Sequence, residues 1–456
     1  MTFPPQEINR AISSNVLIIS YLFPPVGGIG VQRPLKFTRY LGQSDWHVTV
    51  LTTDGVYSAT MDQKLVDEIP QAVNVFRIND PVSRWIGRFI NSNKDNVVAT
   101  SPTAAASPTL KRRLGQWLKA AKDALLIPDE SVLWAIQAAF TGSRLVRKHK
   151  ISCIYTTSGP NSTHLAGMII QRWTGAKWVA DFRDPWIDNM HFQRTGLRKE
   201  LETKLENQVF RRADAIITVT NSFRDLFASK YPNYQSKISV IRNGVDPNDY
   251  PLAPSIASHS GPFTIFYAGI LYPERSPAAF FEALSSLLQS GLIPATNIRV
   301  QFAGVFDYPG KNDHQQLLEL HHLQQNVELL GYLSHNQVIE AMNKAHALLL
   351  IGEGQAQSAM YIPGKLYEYL YTQRPILALM QDGEGANIIR LANAGMVVPP
   401  KDTVQIAEAI HRMYQSFLDR IPFTPNESVI RQFSRIEQTN ELAKLLNNLV
   451  MPQNNN

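Results

Sequence analysis

The sequence is poor in the features that mark several protein classes. Its 456 residues include one cysteine, Cys153, which excludes a disulfide framework and any cysteine-rich metal site. Hydrophobic residues make up 44% and charged residues 18%, so bulk disorder and a coiled coil are excluded. No run reaches the roughly 18 apolar residues of a membrane-spanning helix, and the first residues lack the order of a signal peptide. We expect a cytoplasmic protein.

The net charge is small. Lys and Arg number 44 against 38 Asp and Glu, which gives a formal charge of +6. This excess suits an anionic ligand or an acidic membrane surface. It is weak evidence for nucleic acid, and no nucleic-acid partner is expected.

Short apolar runs alternate with longer helical stretches along most of the chain. This order predicts parallel sheets with crossover helices. Residues 251–262, rich in Pro, Ser and Ala, separate two such series and are interpreted as a linker. The predicted fold class is therefore α/β, with two Rossmann-like, doubly wound domains, 1–250 and 263–428, facing across a cleft. The cleft is the expected site because ligands bind at the carboxyl ends of parallel strands. The predicted strands begin at Val16, His47, Ile151, Lys177, Ala215, Val240, Thr264, Val300, Val327, Ala347, Pro375 and Met396.

One segment of the first domain has the pattern of a basic amphipathic helix. Residues 110–125 place leucines and Trp117 on one stripe, with lysines and arginines flanking it. Such a helix suits the surface of an anionic membrane. It could equally pack its apolar stripe on the domain, because periodicity does not distinguish a core from a bilayer.

Two strand ends of the first domain carry candidate site residues. Gly27 and Gly28 follow the first strand and open a helix, where backbone amides could hold an anion; a flexible turn is the alternative. The spacing is not the dinucleotide fingerprint, since Arg33 occupies the place of its third glycine. Asp181 and Asp184 flank Arg183 after another strand, so one acid could brace the loop and the other face substrate, or both could form a structural salt bridge.

His164 stands near the start of a further predicted helix. The helix dipole there disfavours an imidazolium, and a neutral ring could contact a sugar hydroxyl or a phosphate. A purely structural histidine is the alternative.

The second domain carries the sharpest motif. Pro363 and Gly364 precede a helix whose amides could bind phosphate, with Lys365 adding a cation and Glu368 a carboxylate for vicinal hydroxyls. Arg275, after the strand ending in Ala268, could supply a second cation. The alternative for Glu368 is a first-turn acid that only interacts with the dipole.

Together these motifs resemble the family 4-like glycosyltransferases with the GT-B fold. The resemblance rests on the order of Tyr-Leu-Phe-Pro-Pro-Val-Gly-Gly, Asp-Phe-Arg-Asp-Pro-Trp, Val-Ile-Arg-Asn-Gly-Val-Asp, Tyr-Ala-Gly-Ile-Leu-Tyr and Ile-Pro-Gly-Lys-Leu-Tyr-Glu-Tyr-Leu, and it covers residues 15–446. The sequence also resembles a subgroup often found among bacterial surface-polysaccharide enzymes.

The resemblance implies sugar transfer from a nucleotide-sugar donor to a glycan or lipid-linked acceptor, with retention and without a metal. The nucleotide sugar is a substrate, and no cofactor is expected. By the same resemblance, the final segment 429–456 returns to the first domain as a helix, and the protein works on the inner face of the cell membrane. The implied donor-binding residues are Gly27, Gly28, Arg275, Gly364, Lys365 and Glu368, and the catalytic candidates are His164 and Asp184.

One residue departs from the family pattern, and two alternatives stay open. Met360 stands where the family carries the first of its paired glutamates, and Glu353 is a candidate substitute on a different loop path. The alternatives are a nucleotide-sugar 2-epimerase of the same fold and a non-catalytic partner that binds sugar nucleotides.

Overall fold

The protein divides into two compact units. The computed structural model describes residues 14–55, 61–82, 126–250, 261–308 and 310–450. Unit 1 comprises Met1–Val219, Phe223–Ile241 and Thr439–Asn456, and unit 2 comprises Thr220–Ser222 and Arg242–Gln438. Most of the linker predicted at 251–262 and all of the helix predicted at 110–125 lie outside the described residues.

Unit 1 is built on a parallel sheet that has seven strands in the described residues, in the order β3-β2-β1-β4-β5-β6-β7. The central strand β1 pairs with β2 and β4, so that Val16 lies opposite Val48 and Cys153. Apolar residues fill the central strands because both faces of the sheet are buried. The strand order reverses between β1 and β4, where connections diverge and leave a crevice. The strands are β1 Ser14–Ile19, β2 Trp46–Thr53, β3 Asn74–Ile78, β4 Cys153–Thr157, β5 Lys177–Phe182, β6 Ala215–Thr218 and β7 Ile238–Val240.

Helices connect these strands. The first begins directly after Gly28, whose φ of 101° is readily adopted by glycine. Those that precede unit 2 are α1 Ile29–Leu41, α2 Val132–Lys148, α3 Ser162–Thr174, α4 Gly196–Arg212 and α5 Asn221–Lys230.

Unit 2 repeats the architecture with a parallel sheet, six-stranded in the described residues, in the order β10-β9-β8-β11-β12-β13. Its order reverses between β8 and β11, which places a second crevice between the loops that follow these two strands. The strands are β8 Phe263–Ala268, β9 Ile298–Ala303, β10 Val327–Gly331, β11 Ala347–Ile351, β12 Ile376–Leu379 and β13 Gly395–Val398. The helices are α6 Ala278–Gln289, α7 Asp313–Leu320, α8 His335–Lys344, α9 Gly364–Thr372, α10 Glu384–Leu391, α11 Thr403–Leu418 and α12 Glu427–Arg431.

The last helix, α13 Arg435–Val450, contributes to the core of unit 1. Its buried Leu442 and Leu446 belong to the same apolar cluster as Val16 and Ile18 of β1. Within the described ranges, no helix has both the length and the apolar character needed to cross a membrane. The predicted fold class, two doubly wound α/β domains, is confirmed.

Candidate functional site

The predicted residues of unit 2 meet around the start of α9. Gly364 is its first residue, and Pro363 before it has no side-chain acceptor for the helix amides. Lys365 and Glu368 follow at a spacing of three, which places them on the same side of the helix. Because α9 begins at Gly364, Glu368 lies at the start of the second turn and not, as the sequence predicted, in the first turn. An exposed Gly364 and the helix dipole make this end favourable for an anion.

Lys365 is held against Tyr267 of β8. Its Nζ donates to the Tyr267 hydroxyl at 3.1 Å and lies 4.3 Å from the centre of the ring. Gly269, directly after β8, has a φ of 124°, and any side chain there would overlap Lys365 Nζ. Because Gly269 has no side chain, the ammonium group of Lys365 can occupy this space.

The electrostatics around Lys365 favour an anionic ligand. Burial, and to a smaller extent the positive charge of Arg275, lower the pKa of Lys365 to about 8, while Glu368 opposes the shift. Burial also raises the pKa of Glu368, which His335 and Lys365 partly offset. Two cations that disfavour each other's charge would both be stabilised by an anion bound between them.

Arg275 is fixed by Glu353, which the sequence suggested only as a substitute for Met360. Its Nη2 lies 2.9 Å from Oε1 of Glu353, a buried residue that follows β11. The guanidinium also lies 5.2 Å from the ring centre of Tyr272. Because β8 and β11 are the strands between which the order reverses, this ion pair crosses the crevice of unit 2. Met360 is half-buried at the end of a short 3₁₀ turn.

A cavity of about 470 Å³ lies next to this site, at the carboxyl ends of β9 and β10. Gly304 lines it and packs against the backbone of Gly269, which donates to Ala303 at 2.7 Å. Sequence reasoning missed this cavity. The available sign was a repeated Ala-Gly pair, Ala268-Gly269 and Ala303-Gly304, at the ends of neighbouring strands. The lining residues are Phe302, Gly304, Val305, Phe306, Asp307, Gln315, Leu329 and Gly331.

In unit 1, Asp181 is a bracing residue. Its buried carboxylate accepts hydrogen bonds from Arg33 Nε at 2.8 Å and Nη2 at 2.9 Å, and from the hydroxyls of Tyr155 and Thr157 at 2.5 and 2.9 Å. Burial alone would raise the pKa of Asp181, but Arg33 and the hydroxyl donors hold it below the usual range. The sequence did not identify Arg33 as the partner of Asp181. The available sign was a charged residue among the apolar residues of α1.

Arg183 joins the loops on both sides of the crevice in unit 1. Its Nη1 donates to the carbonyl of Gly30 at 2.7 Å and its Nε to the carbonyl of Ser158 at 2.7 Å. The loop of Gly27 and Gly28 is thereby tied to the β4–α3 loop. Asp184, the next residue, is exposed.

His164 lies in the first turn of α3 and is completely buried. Its Nδ1 is 2.9 Å from the Thr156 hydroxyl, and its ring packs at a tilt against Phe182 with centres 4.4 Å apart. Nε2 has no hydrogen-bond partner in the described part of the chain. Burial lowers the pKa of His164 to about 3. The ring is thus neutral, as predicted, but mainly because it is buried. Its contact with a sugar stays a prediction, as do the roles of Gly27, Gly28 and Asp184.

Comparison with known proteins places these features in context. The family described as Glycosyltransferase Family 4 matches residues 97–249, and the family described as Glycosyl transferases group 1 matches residues 262–416. Glycogen synthase of Mycobacterium tuberculosis is 22% identical over 246 residues, 51% of this chain and 55% of that protein. The chain thus spans about half the length of the curated relative it matches.

Two solved structures share the fold across nearly the whole chain. A glycosyltransferase from Rickettsia africae has a TM-score of 0.66 at 14% identity, covering 97% of this chain and 100% of that one. HepE from Anabaena, in complex with UDP and glucose, has a TM-score of 0.59 at 15% identity, covering 95% and 99%.

Proposed function

Because this chain belongs to the family 4-like glycosyltransferases of the GT-B type, we propose that it transfers a sugar from a nucleoside-diphosphate sugar to a glycan or lipid-linked acceptor. Unit 2 binds the donor and unit 1 the acceptor. The proposed setting is surface-polysaccharide synthesis at the cytoplasmic face of a membrane.

The observation that supports this proposal best is the pair of cations at the start of α9. Arg275 is fixed by the buried Glu353, and Lys365 by Tyr267, so both positive groups are ordered before a ligand arrives. Because these cations are already in place, less reorganisation is needed when negative charge develops on a bound group. A diphosphate provides the two negative charges that this arrangement lacks.

In the proposed reaction, these positive groups stabilise the leaving diphosphate. Transfer breaks the bond between the anomeric carbon and the diphosphate, and the bonding electrons leave with the diphosphate oxygen. Arg275, Lys365 and the amides that begin α9 stabilise this developing charge. The acceptor hydroxyl forms the new bond to the anomeric carbon and passes its proton to the departing diphosphate oxygen. We propose a metal-independent reaction, since side chains and a helix end supply the positive charge. Retention of configuration is proposed from the family resemblance.

The remaining parts of the donor have candidate positions within unit 2. Glu368 would bind ribose hydroxyls by accepting hydrogen bonds from them. The cavity lined by Gly304 and Leu329 would take the base. We place UDP-sugars first among the donors, because HepE is described with UDP and with UDP-glucose.

Binding of donor is tested by melting temperature. Nucleoside diphosphates and their sugars, at a hundred times the dissociation constant, should stabilise the protein by about 2.7 kcal/mol. Arg275→Ala/Lys365→Ala should abolish the shift. The control Arg299→Ala/Lys344→Ala removes exposed cations of the same types from unit 2 and should retain it. Equal shifts in both double variants would contradict the assigned site.

Activity is tested with radiolabelled donor and a lipid or glycan fraction as acceptor. Transfer that falls at least 100-fold in Arg275→Ala/Lys365→Ala supports the proposal. Met360 favours a non-catalytic binding partner as the second candidate, since it offers no hydrogen bond to a sugar. Binding without transfer to any acceptor would support that candidate. An epimer formed from donor alone would instead indicate a 2-epimerase.

A further inference from the structure

Helices α2 and α3 form a surface that combines large exposed apolar side chains with positive charge. Leu133, Ile136 and Phe140 of α2 are 42%, 43% and 53% exposed, and Trp173 of α3 is 43% exposed. The rings of Phe140 and Trp173 lie 5.1 Å apart, so the two helices share one apolar patch. Hydrophobic side chains exposed together, rather than singly, mark an interaction surface.

The patch follows from how α2 is patterned. Leu133, Ile136, Phe140 and Arg144 recur every three or four residues, so they form one stripe along a helix about 25 Å long. The opposite face, which includes Trp134 and Leu145, is buried against unit 1. The apolar stripe is therefore additional to the face that the fold needs.

The two helices are held together closely. A side chain at Gly142 would meet Ile170 of α3 at 2.5 Å, so this glycine lets α3 approach α2. Arg147 Nη2 donates to the backbone carbonyl of Trp173 at 2.9 Å, which fixes the exposed end of α3 beside α2. The patch is thus part of a rigid element pair.

The charged side chains of α2 and α3 are all positive. Neither α2 nor α3 contains Asp or Glu. Their exposed cations continue the same surface beyond the apolar patch and comprise Arg144, Arg147, Lys148 and Arg172. The nearest acids before α2 are Asp129, which accepts from the backbone of Ser131 and Ser162, and the exposed Glu130.

We propose that this α2–α3 surface docks on an anionic lipid bilayer. A bilayer surface offers acyl chains for the leucine, isoleucine and aromatic groups and negative headgroups for the cations, and tryptophan favours this interface. A second copy of the chain would instead place like charges opposite each other. The proposal locates the membrane contact of the proposed function, but it does not depend on sugar transfer.

Vesicle co-sedimentation of the full chain, without donor, tests this assignment. Binding should be stronger to vesicles of phosphatidylglycerol and phosphatidylcholine than to phosphatidylcholine alone, and high salt should weaken it. Phe140→Ser/Trp173→Ser and Arg144→Glu/Lys148→Glu should each lower the partition coefficient at least about tenfold. The matched control Leu391→Ser/Arg412→Glu changes an exposed leucine and an exposed arginine of unit 2 and should bind normally.

Unchanged melting temperatures would show that the variants remain folded, as their exposure predicts. If the wild-type protein does not bind anionic vesicles, the proposal is overturned. So does binding that only Trp117→Ser reduces, which would assign the contact to segment 110–125. A dimer that Phe140→Ser/Trp173→Ser dissociates, without vesicle binding, would also overturn it and assign the surface to a second copy. Donor transfer is measured separately, so either proposal can fail alone.

Discussion

Lys365 shows how the surroundings of one residue can set the conditions for ligand binding. Its pKa of about 8 places the loss of its charge within the range where enzymes are routinely assayed. Binding of a diphosphate requires the charged form, so affinity should fall as pH rises through 8. With that pKa, the dissociation constant for UDP should be about tenfold higher at pH 9 than at pH 7. Isothermal titration calorimetry at both values measures this ratio.

The control for this prediction removes the titrating group. Lys365→Met should bind UDP more weakly and lose most of the dependence between pH 7 and pH 9. A wild-type ratio near one, or the same ratio in Lys365→Met, would show that another group carries the effect.

His164 predicts acid sensitivity of the fold. Its pKa is about 3 when folded and about 6.5 when unfolded, so the unfolded chain binds the additional proton below pH 6.5. Stability should therefore fall from this source as pH drops from 6.5 towards 3, by about 1.4 kcal/mol per pH unit. His164→Phe keeps an aromatic ring against Phe182 and should reduce the slope by that amount. Urea unfolding at pH 6.5, 5.5 and 4.5 measures it, and equal slopes would contradict the assignment.

The sequence predicted which types of residue form the candidate sites, but not which residues pair with each other. The sequence identified Asp181, Arg275, Lys365 and Glu353 as groups of interest, but it did not pair Asp181 with Arg33 or Arg275 with Glu353. The two members of these pairs are 148 and 78 positions apart. Such contacts depend on how strands order themselves in the sheet, which local patterns do not record.

At the scale of elements, the Arg33–Asp181 pair ties α1 to β5. Arg33 also donates to the carbonyl of Ile241 at 3.0 Å, so three separate segments meet at one guanidinium. Arg33→Met should lower the free energy of unfolding by about 3 to 5 kcal/mol, because a buried carboxylate loses its partner. The control Arg431→Met breaks the exposed pair with Glu427 and should cost less than about 1 kcal/mol. Similar losses in the two variants, measured by urea unfolding, would contradict this role.

Elements with strong apolar runs were predicted, and weaker ones were missed. The buried strand β1 was expected at Val16 and begins at Ser14, and α1 was expected after the glycine pair and begins at Ile29. Strand β3 was not predicted, since it pairs on one side only and its side chains are partly exposed. Helix α2 was not predicted either, because it carries apolar residues on both its buried and its exposed faces.

At the scale of the whole molecule, donor binding should reveal which loops act together. Hydrogen exchange with and without UDP should show slower exchange at 269–277 and 352–368 of unit 2, where Arg275, Glu353 and Lys365 lie. If the glycine loop also reaches donor phosphates, as the family resemblance implies, residues 24–31 should be protected too. Arg275→Ala/Lys365→Ala should show neither effect. Protection confined to segments far from these loops would contradict the donor site.

The position of α13 has a consequence for synthesis of the protein. The strands of unit 1 leave the ribosome first, yet Leu442 and Leu446 fill part of their apolar cluster. Unit 1 can therefore bury that part of its surface only after all of unit 2 has been translated. During elongation the incomplete sheet presents an uncovered apolar patch, which chaperones are suited to shield until the final helix arrives.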